Sequence, residues 1–445
     1  MYAPSREGVM SMDFLRAALR QNFWPTTAGT APALDRLDAD IDCDFAVIGA
    51  GIMGLSSALA LRERGASVTV LEAEHPATAA SGRNGGLVVP SLPRVGPAEV
   101  VRLLGDEYGP RLLRLVADGA QAVFDLIERH RLDCDAVQGG WLNPAHANEL
   151  TDGLKARVSA WQNAGARARW IDRDEACQRI GSAAFHGALY DESGGHVNPF
   201  AYTQELARTA SGKGARIFVD SPVLRIDSAS GRYLLQTPTG TVRAATILQC
   251  TNAVPSGPRA LAPAVTRSIV PLTVFQLATS VVPQSVRRSM LKQNEALSDT
   301  RNNLFALRFT VDGRIVTGGM APLTQWMAEP RLLRSLARRM ERIFPQLGEV
   351  RFDFIWRGGA ALTPDFLPRL FEVGPNWYAP IGCNGRGIAM TTSLGQRIAA
   401  YAADRDPRAL PVPLTAAAPL KAHAFVRYAP QLLLPMGMIQ DAMRR

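Results

Sequence analysis

The sequence predicts a mixed α/β (α+β) protein of two or three domains, one built on a parallel βαβ unit and another on antiparallel strands. Three observations carry this. A strand, a glycine loop, a helix and a second strand ending in an acid follow one another between residues 44 and 72. Alternating runs at 304–310 and 314–317, joined by Asp312-Gly313, read as an antiparallel hairpin. The 445 residues exceed what one compact core holds.

The parallel unit opens with Asp44-Phe45-Ala46-Val47-Ile48, a short apolar run of the kind buried on both faces. Gly49-Ala50-Gly51-Ile52-Met53-Gly54 follows, then a helical stretch from Leu55 to Arg64 stopped by Gly65. Ser67–Leu71 is the second strand, with Glu72 and Ala73 at its end. In this context the glycine spacing has a physical meaning. Gly49 permits a tight turn, Gly51 lets backbone approach a pyrophosphate, and Gly54 lets helix and strand pack closely. The helix N-terminus then faces the phosphates with unpaired N–H groups. Glu72 suits ribose hydroxyls and would repel a 2′-phosphate, which disfavours NADP.

Two further glycine loops separate FAD from NAD. Ser81-Gly82-Arg83-Asn84-Gly85-Gly86-Leu87 places small residues where backbone must pass close to a flat ring. Gly382-Cys383-Asn384-Gly385-Arg386-Gly387 precedes a helix over Ile388–Ala402, whose N-terminus offers positive potential to the N1–C2=O edge of a reduced flavin. Arg243–Leu248 reads as a strand ending on a cofactor loop at Thr251-Asn252.

Composition narrows the alternatives. The chain is 47% hydrophobic and 20% charged, which fits a globular protein. No stretch is apolar over the roughly 18 residues of a membrane span. Arg16, Arg20 and Gln21 interrupt Phe14–Phe23, so no secretory leader is read and a cytoplasmic location is expected. Five dispersed cysteines without a C-x-x-C pair, and six dispersed histidines, argue against a disulfide framework and a metal site. The net charge of +9 raises nucleic acid as a partner, but the cluster Arg334, Arg338, Arg339 and Arg342 falls at helical spacing and reads as a solvated helix face. An anionic cofactor or carboxylate substrate is the better use of that charge. The segment Phe425–Arg445 sets Arg427, Arg444 and Arg445 beside Leu432–Met438. It reads as an amphipathic helix docked on its own protein, with membrane contact as the alternative. Oligomeric state is left open.

Glycine loop, acidic strand end and Ser-Gly-Arg-Asn-Gly-Gly together resemble the D-amino-acid oxidase superfamily of flavoproteins, and within it the γ-glutamylputrescine oxidase-like amine oxidases. The similarity extends through 187–199, Phe344-Pro345-Gln346-Leu347, Trp356-Arg357-Gly358, the 382–387 loop and the tail from Leu434 to Asp441. It implies a Rossmann-like FAD domain gathering 38–92, 168–252 and 353–445, a discontinuous antiparallel-sheet substrate domain gathering 93–167 and 253–352 (the D-amino-acid oxidase or glutathione-reductase-2 type), and an N-terminal extension over 1–37. It adds Val223 and Gly358 to the cofactor-binding positions. Covalently flavinylated members use a His or a Cys at places matched here by Asn84 and Gly358, so non-covalent FAD is expected. This chain has Arg386 and Asn198 where the amine oxidases have His, Ala306-Leu307 where they have an aromatic pair, and Val316 at the position of an oxygen-activating Lys.

The resemblance implies oxidation of an amine or amino-acid-like substrate by hydride transfer to flavin N5, hydrolysis of the imine, and reoxidation by O2. The protein then supplies orientation and charge, while the flavin carries the chemistry. Arg386 is the candidate to hold charge near flavin N1 or to clamp a carboxylate, Arg308 to face the ring from its strand, and Trp356 to wall the pocket. Alternatives are a dehydrogenase of an amino or 2-hydroxy acid passing electrons to a quinone or partner protein, and a non-catalytic flavin-binding subunit.

Overall fold

The computed structural model describes residues 21–252, 261–303, 305–320 and 325–444, the side chains of 325–330 excepted. Two sheets organise it, and the fold is mixed α/β as expected.

In the first sheet the strands run in the order Leu414–Thr415, Arg369–Gly374, Trp377–Ile381, Thr241–Gln249, Ile41–Ile48, Val68–Leu71, Arg216–Phe218, with a hairpin of Arg225–Ala229 and Arg232–Gln236 on its flank. Its centre is parallel: Ile41–Ile48 pairs on one side with Thr241–Gln249 and on the other with Val68–Leu71. All four residues of Val68–Leu71 are buried, which is why that run does not alternate. Helix Ile52–Glu63 covers one face and is buried throughout from Ile52 to Leu61. Helix Gly387–Asp404 packs on it so closely that a Cβ on Gly395 would lie 2.6 Å from the Met53 carbonyl oxygen. The Ser57 hydroxyl joins the two helices by donating to Met53 and Gly395 carbonyls.

The second sheet runs Phe352–Leu362, Val270–Thr279, Ile315–Gly319, Ala306–Phe309, Ala296–Ser298, Trp141–Pro144, Ala188–Asp191, Ala168–Ile171. Its pairs are antiparallel except for Ala296–Ser298 on Trp141–Pro144. The hairpin read at Asp312-Gly313 is present, with Arg308 opposite Val316. The strands Ala168–Ile171, Ala188–Asp191 and Phe352–Leu362, which the partition by resemblance assigns with the nucleotide segments, hydrogen-bond in this sheet.

Helix Gln325–Ile343 seals the far side of the second sheet. Leu332, Leu336, Met340 and Ile343 are buried against Phe305, Leu307 and Phe309, one stripe at helical spacing. Its other side carries the arginine cluster, with Arg331, Arg338 and Arg342 exposed as a solvated helix face. Among the described residues no helix is long and apolar enough to cross a membrane, and no group of His, Cys, Asp or Glu could hold a metal.

Candidate active site

The nucleotide end is built from backbone. Gly49 has φ +102°, and a Cβ there would meet the Cys250 carbonyl oxygen at 2.9 Å. A Cβ on Gly54 would come within 2.0 Å of the Gly49 carbonyl oxygen, so only glycine lets the helix start this close to the strand. Gly51 caps helix Ile52–Glu63 without any side-chain cap, leaving the first N–H groups directed outward. One of them, Ile52 N–H, donates to the Ser81 hydroxyl at 3.0 Å. Glu72 braces the loop: one carboxylate oxygen accepts from Ala50 N–H at 2.7 Å and the other from Glu74 N–H at 3.1 Å. Ser221 N–H donates to the Glu72 carbonyl, which lays the segment carrying Val223 beside Glu72 and the exposed Ala73. Cys250, Thr251 and Asn252 leave the neighbouring strand directly beneath Gly49.

At the second loop, side chains from distant parts of the chain hold the backbone. The Asn84 side chain ties the loop to itself, donating to Ala80 and Ser81 carbonyls and accepting from Gly86 N–H. Around it, Asn22 donates to the Gly82 carbonyl, Trp24 Nε1 to the Asn84 carbonyl at 2.8 Å, and Trp356 Nε1 to the Arg83 carbonyl at 2.9 Å. Gly85 lies beside Gln276, where an added Cβ would sit 3.2 Å from Oε1. Leu87 begins a short strand paired to His196. Gly358 faces Arg83, its would-be Cβ 3.4 Å from the carbonyl oxygen.

Arg308 is 1% exposed and spends four of its five donors inside the protein. Nε donates to the Gly85 carbonyl, Nη2 to Val197, and Nη1 to Phe309 and to His196 Nδ1. Its guanidinium lies 4.4 Å over the Trp24 ring. Burial pushes the Arg308 pKa down to about 9, which leaves it charged at neutral pH. His196 accepts from Arg308 through Nδ1 and faces the Asn294 carbonyl through Nε2, an arrangement that requires the neutral Nε2–H tautomer. Burial and the Arg308 charge hold its pKa well below 6.5. Trp356 is fully buried, packed on Phe23 and Trp24 with its indole N–H turned to the Arg83 carbonyl.

The third loop is carried by Gly382 at φ +88° and Asn384 at φ +52°. Asn384 is buried; its side chain accepts from Thr363 N–H and donates to Gly382, and its own N–H donates to Ala361. Gly385 is exposed with open space beside it, and Gly387 and Ile388 start an 18-residue helix that has no side-chain cap. Arg386 reaches across to the second sheet, where its guanidinium lies 5.3 Å over the Trp141 ring and Nη1 donates to the Ser298 hydroxyl. Burial, and then the charge of Arg157, bring its pKa down to about 9. Arg157 donates to Ser91 and Leu92 while its Nε is buried without a partner. Among the described residues neither arginine has an acidic partner.

The three glycine loops therefore meet one frame. The strand Phe352–Leu362 touches the second loop at Gly358 and the third at Ala361, three residues or about 10 Å of extended chain apart. The cradle at Gly49–Gly54, the open helix N-termini and the acid at Glu72 fit a dinucleotide such as FAD. What sequence reasoning missed is the N-terminal segment. Phe23 and Trp24 are each 1% exposed and build the wall behind Arg83–Gly86, and Asn198 caps helix Pro199–Gly212 while donating to Trp24 and Thr27. Two adjacent aromatics among polar neighbours were the available signal. Trp141, Arg157 and Ser298 carry no local signal at all.

This fold and frame define a flavin-dependent oxidoreductase. Residues 44–401 match the family described as FAD dependent oxidoreductase, and the chain belongs to it. In sequence it is similar to γ-glutamylputrescine oxidoreductase of Escherichia coli, 28% identical over 384 residues that cover 85% of this chain and 88% of the relative. It is also similar to a probable oxidoreductase, OrdL, of Haemophilus influenzae, 27% identical over 358 residues covering 80% and 82%. Among solved structures, glycine oxidase from Bacillus cereus superposes with a TM-score of 0.66 at 22% identity, covering 82% of this chain and 96% of that one. That likeness speaks for the fold.

Proposed function

We propose that the protein is a cytoplasmic enzyme that oxidises the C–N bond of an amine or amino-acid-like substrate, with FAD held non-covalently in the frame of the three glycine loops. FAD held there would supply two-electron oxidation of the carbon beside the nitrogen, with O2 as final acceptor giving H2O2, and the imine product would hydrolyse to a carbonyl compound and a smaller amine. The name of a relative in sequence, a γ-glutamylputrescine oxidoreductase, supports this substrate range.

The chain's own residues hold and orient. Gly49, Gly51 and Gly54 admit the pyrophosphate, with Ile52 and Met53 N–H groups and the Ser81 hydroxyl around it; Glu72 takes the ribose, with Ala73 and Val223 beside it. Thr251 and Asn252 close the floor. Ser81–Leu87 and Gly358 would hold the ring system, and the uncapped helix N-terminus at Gly387 and Ile388 would offer positive potential to a reduced flavin. Asn84 and Gly358 offer no nucleophile for a covalent tether. Arg308 and Trp356 serve as positioning residues through Gly85 and Arg83.

The observation that carries an anionic, amino-acid-like substrate is the pair Arg386 and Arg157, half-buried with no acidic partner among the described residues. A substrate carboxylate supplies the missing countercharge, and the Trp141 face beside it provides a dry wall that favours the neutral amine. Arg386→Ala is expected to weaken substrate affinity about 10- to 100-fold, the loss of one charge-assisted hydrogen bond. An anaerobic screen of amines, N-methyl amino acids and D-amino acids for bleaching of the flavin tests the whole reading. If Arg386→Ala left both flavin reduction and substrate affinity unchanged, Arg386 would lose this role.

A dehydrogenase passing electrons to a quinone or partner protein is the second reading. It is favoured by Val316, an apolar side chain 1% exposed in the Phe23–Trp24–Trp356 cluster, where the resemblance places an oxygen-activating Lys. H2O2 release under air separates the two.

A further inference from the structure

The C-terminal helix Ala429–Met443 is turned with its apolar face outward. Leu432, Leu433, Met436, Ile439 and Met443 recur at helical spacing on one side and are 58%, 60%, 59%, 60% and 77% exposed. Phe425, 79% exposed, extends the stripe. The opposite side is fastened down. Leu434 is buried, and Gly437 sits against Asn302, where an added Cβ would be 2.9 Å from that residue's Cβ. The Asp441 carboxylate accepts from the backbone N–H groups of Asn302 and Asn303. Asp441 is the only acid in the helix, and it points inward, so the outer side is apolar without negative charge. The orientation is therefore anchored by specific polar contacts, and it leaves a run of large apolar side chains exposed along one side; exposed apolar surface grouped in this way marks interaction sites.

The surroundings are basic. Arg339 donates to the Asn303 carbonyl beside Asp441, and it belongs to the face of helix Gln325–Ile343 on which Arg331, Arg338 and Arg342 are exposed. Residues 331–343 contain five arginines and one acid, Glu341. Arg427 and Arg444 flank the apolar stripe at its two ends, Arg444 paired with Glu149 at 3.2 Å.

We propose that this surface docks the enzyme on an anionic lipid bilayer, the helix lying in the interface plane with Leu432, Leu433, Met436, Ile439 and Met443 entering the acyl boundary and the arginines meeting headgroup phosphates. An apolar helical stripe rimmed by arginine is the pattern of interfacial binding. A second copy of the chain fits less well, because a two-fold contact along this stripe would bring two arginine-rich faces together.

The test is flotation of the FAD-loaded full chain with vesicles of phosphatidylcholine alone or mixed with phosphatidylglycerol. The chain should float with the anionic vesicles, more weakly with neutral ones, and less as salt rises. Leu432→Asp/Met436→Asp should lower partitioning at least about tenfold, and Arg338→Glu/Arg342→Glu should lower it on anionic vesicles alone. Both variants should keep the wild-type flavin spectrum and reduction rate in solution, which separates lost docking from misfolding. No partitioning of the wild type, or equal partitioning of the variants, overturns the proposal. A wild-type dimer that Leu432→Asp/Met436→Asp converts to monomer, without vesicle binding, would assign the stripe to a second copy. Vesicle binding only after removal of residues 1–20 would assign it to that segment.

Discussion

The two ends of the candidate site are held by contacts of very different reach. At the nucleotide end the decisive hydrogen bond, Ala50 N–H to Glu72, joins residues 22 apart, and Gly54 rests on Gly49. At the flavin end the loop 82–86 is fixed by Asn22 and Trp24 from 60 residues away, Arg308 from 223 and Trp356 from 273. The first is a local solution that any chain with the right spacing can adopt. The second exists only once the N-terminal segment, the second sheet and the first sheet have come together. Damage at the nucleotide end should therefore act through one backbone contact, and damage at the flavin end through assembly.

Substitutions at Gly54 and Gly51 divide the nucleotide end itself. Gly54→Ala pushes a Cβ to 2.0 Å from a backbone oxygen that has nowhere to go. It should cost several kcal/mol, on the scale of severe core overpacking or more, and yield little folded protein. Gly51→Ala meets only the Ser81 hydroxyl at 2.8 Å, the movable end of a side chain. Its apoprotein should melt near the wild-type temperature while FAD affinity falls at least about tenfold, since backbone must approach the pyrophosphate here. Equal loss of stability in both variants would remove the distinction.

Arg308→Met sharpens the other side of the comparison. It strips partners from three carbonyls and from His196, all buried except the half-buried Gly85, and should destabilise by about 3–5 kcal/mol in denaturant unfolding. Arg308→Lys should recover little, because one ammonium cannot reach the four acceptors that the guanidinium fork spans. Trp24→Phe removes only the donor to the Asn84 carbonyl and part of the ring under Arg308. A loss of about 1–2 kcal/mol and faster flavin release are expected, read from flavin fluorescence. Unchanged flavin release would leave Trp24 a packing residue and nothing more.

The same contrast explains what sequence reasoning reached. Strand, loop, helix and acid between Asp44 and Glu72 are determined by neighbours, so their periodicity and glycine spacing were legible. The three glycine loops were legible as loops. Their common frame was not, because Gly358 and Ala361 meet them through pairing across the fold. Arg308 was legible as an arginine on a hairpin strand, but whether it faces solvent or interior depends on Trp24 and His196, more than 100 residues away. Likewise the C-terminal helix was recognisable from its composition, and only the Asp441 contacts show which face it hides.

An effect visible only as pH falls concerns two histidines on the second-sheet side. His146, beside Thr300, has its pKa lowered to about 4 by burial and then by the charge of Arg301, while His196 is held well below 6.5 by burial and Arg308. Both are neutral in the folded protein and take up protons at 6.5 when it unfolds, so the unfolded state binds more protons as pH falls. Their contribution is fully present above pH 6.5 and is lost progressively below it, for His146 down to about pH 4. Each residue should add a slope of up to about 1.4 kcal/mol per pH unit in that window. His146→Asn removes one such proton without touching Arg308, so its unfolding free energy should fall less steeply between pH 6.5 and 4.5 than that of the wild type. Parallel slopes would mean that His146 is protonated in the native state and that its burial is relieved by a countercharge.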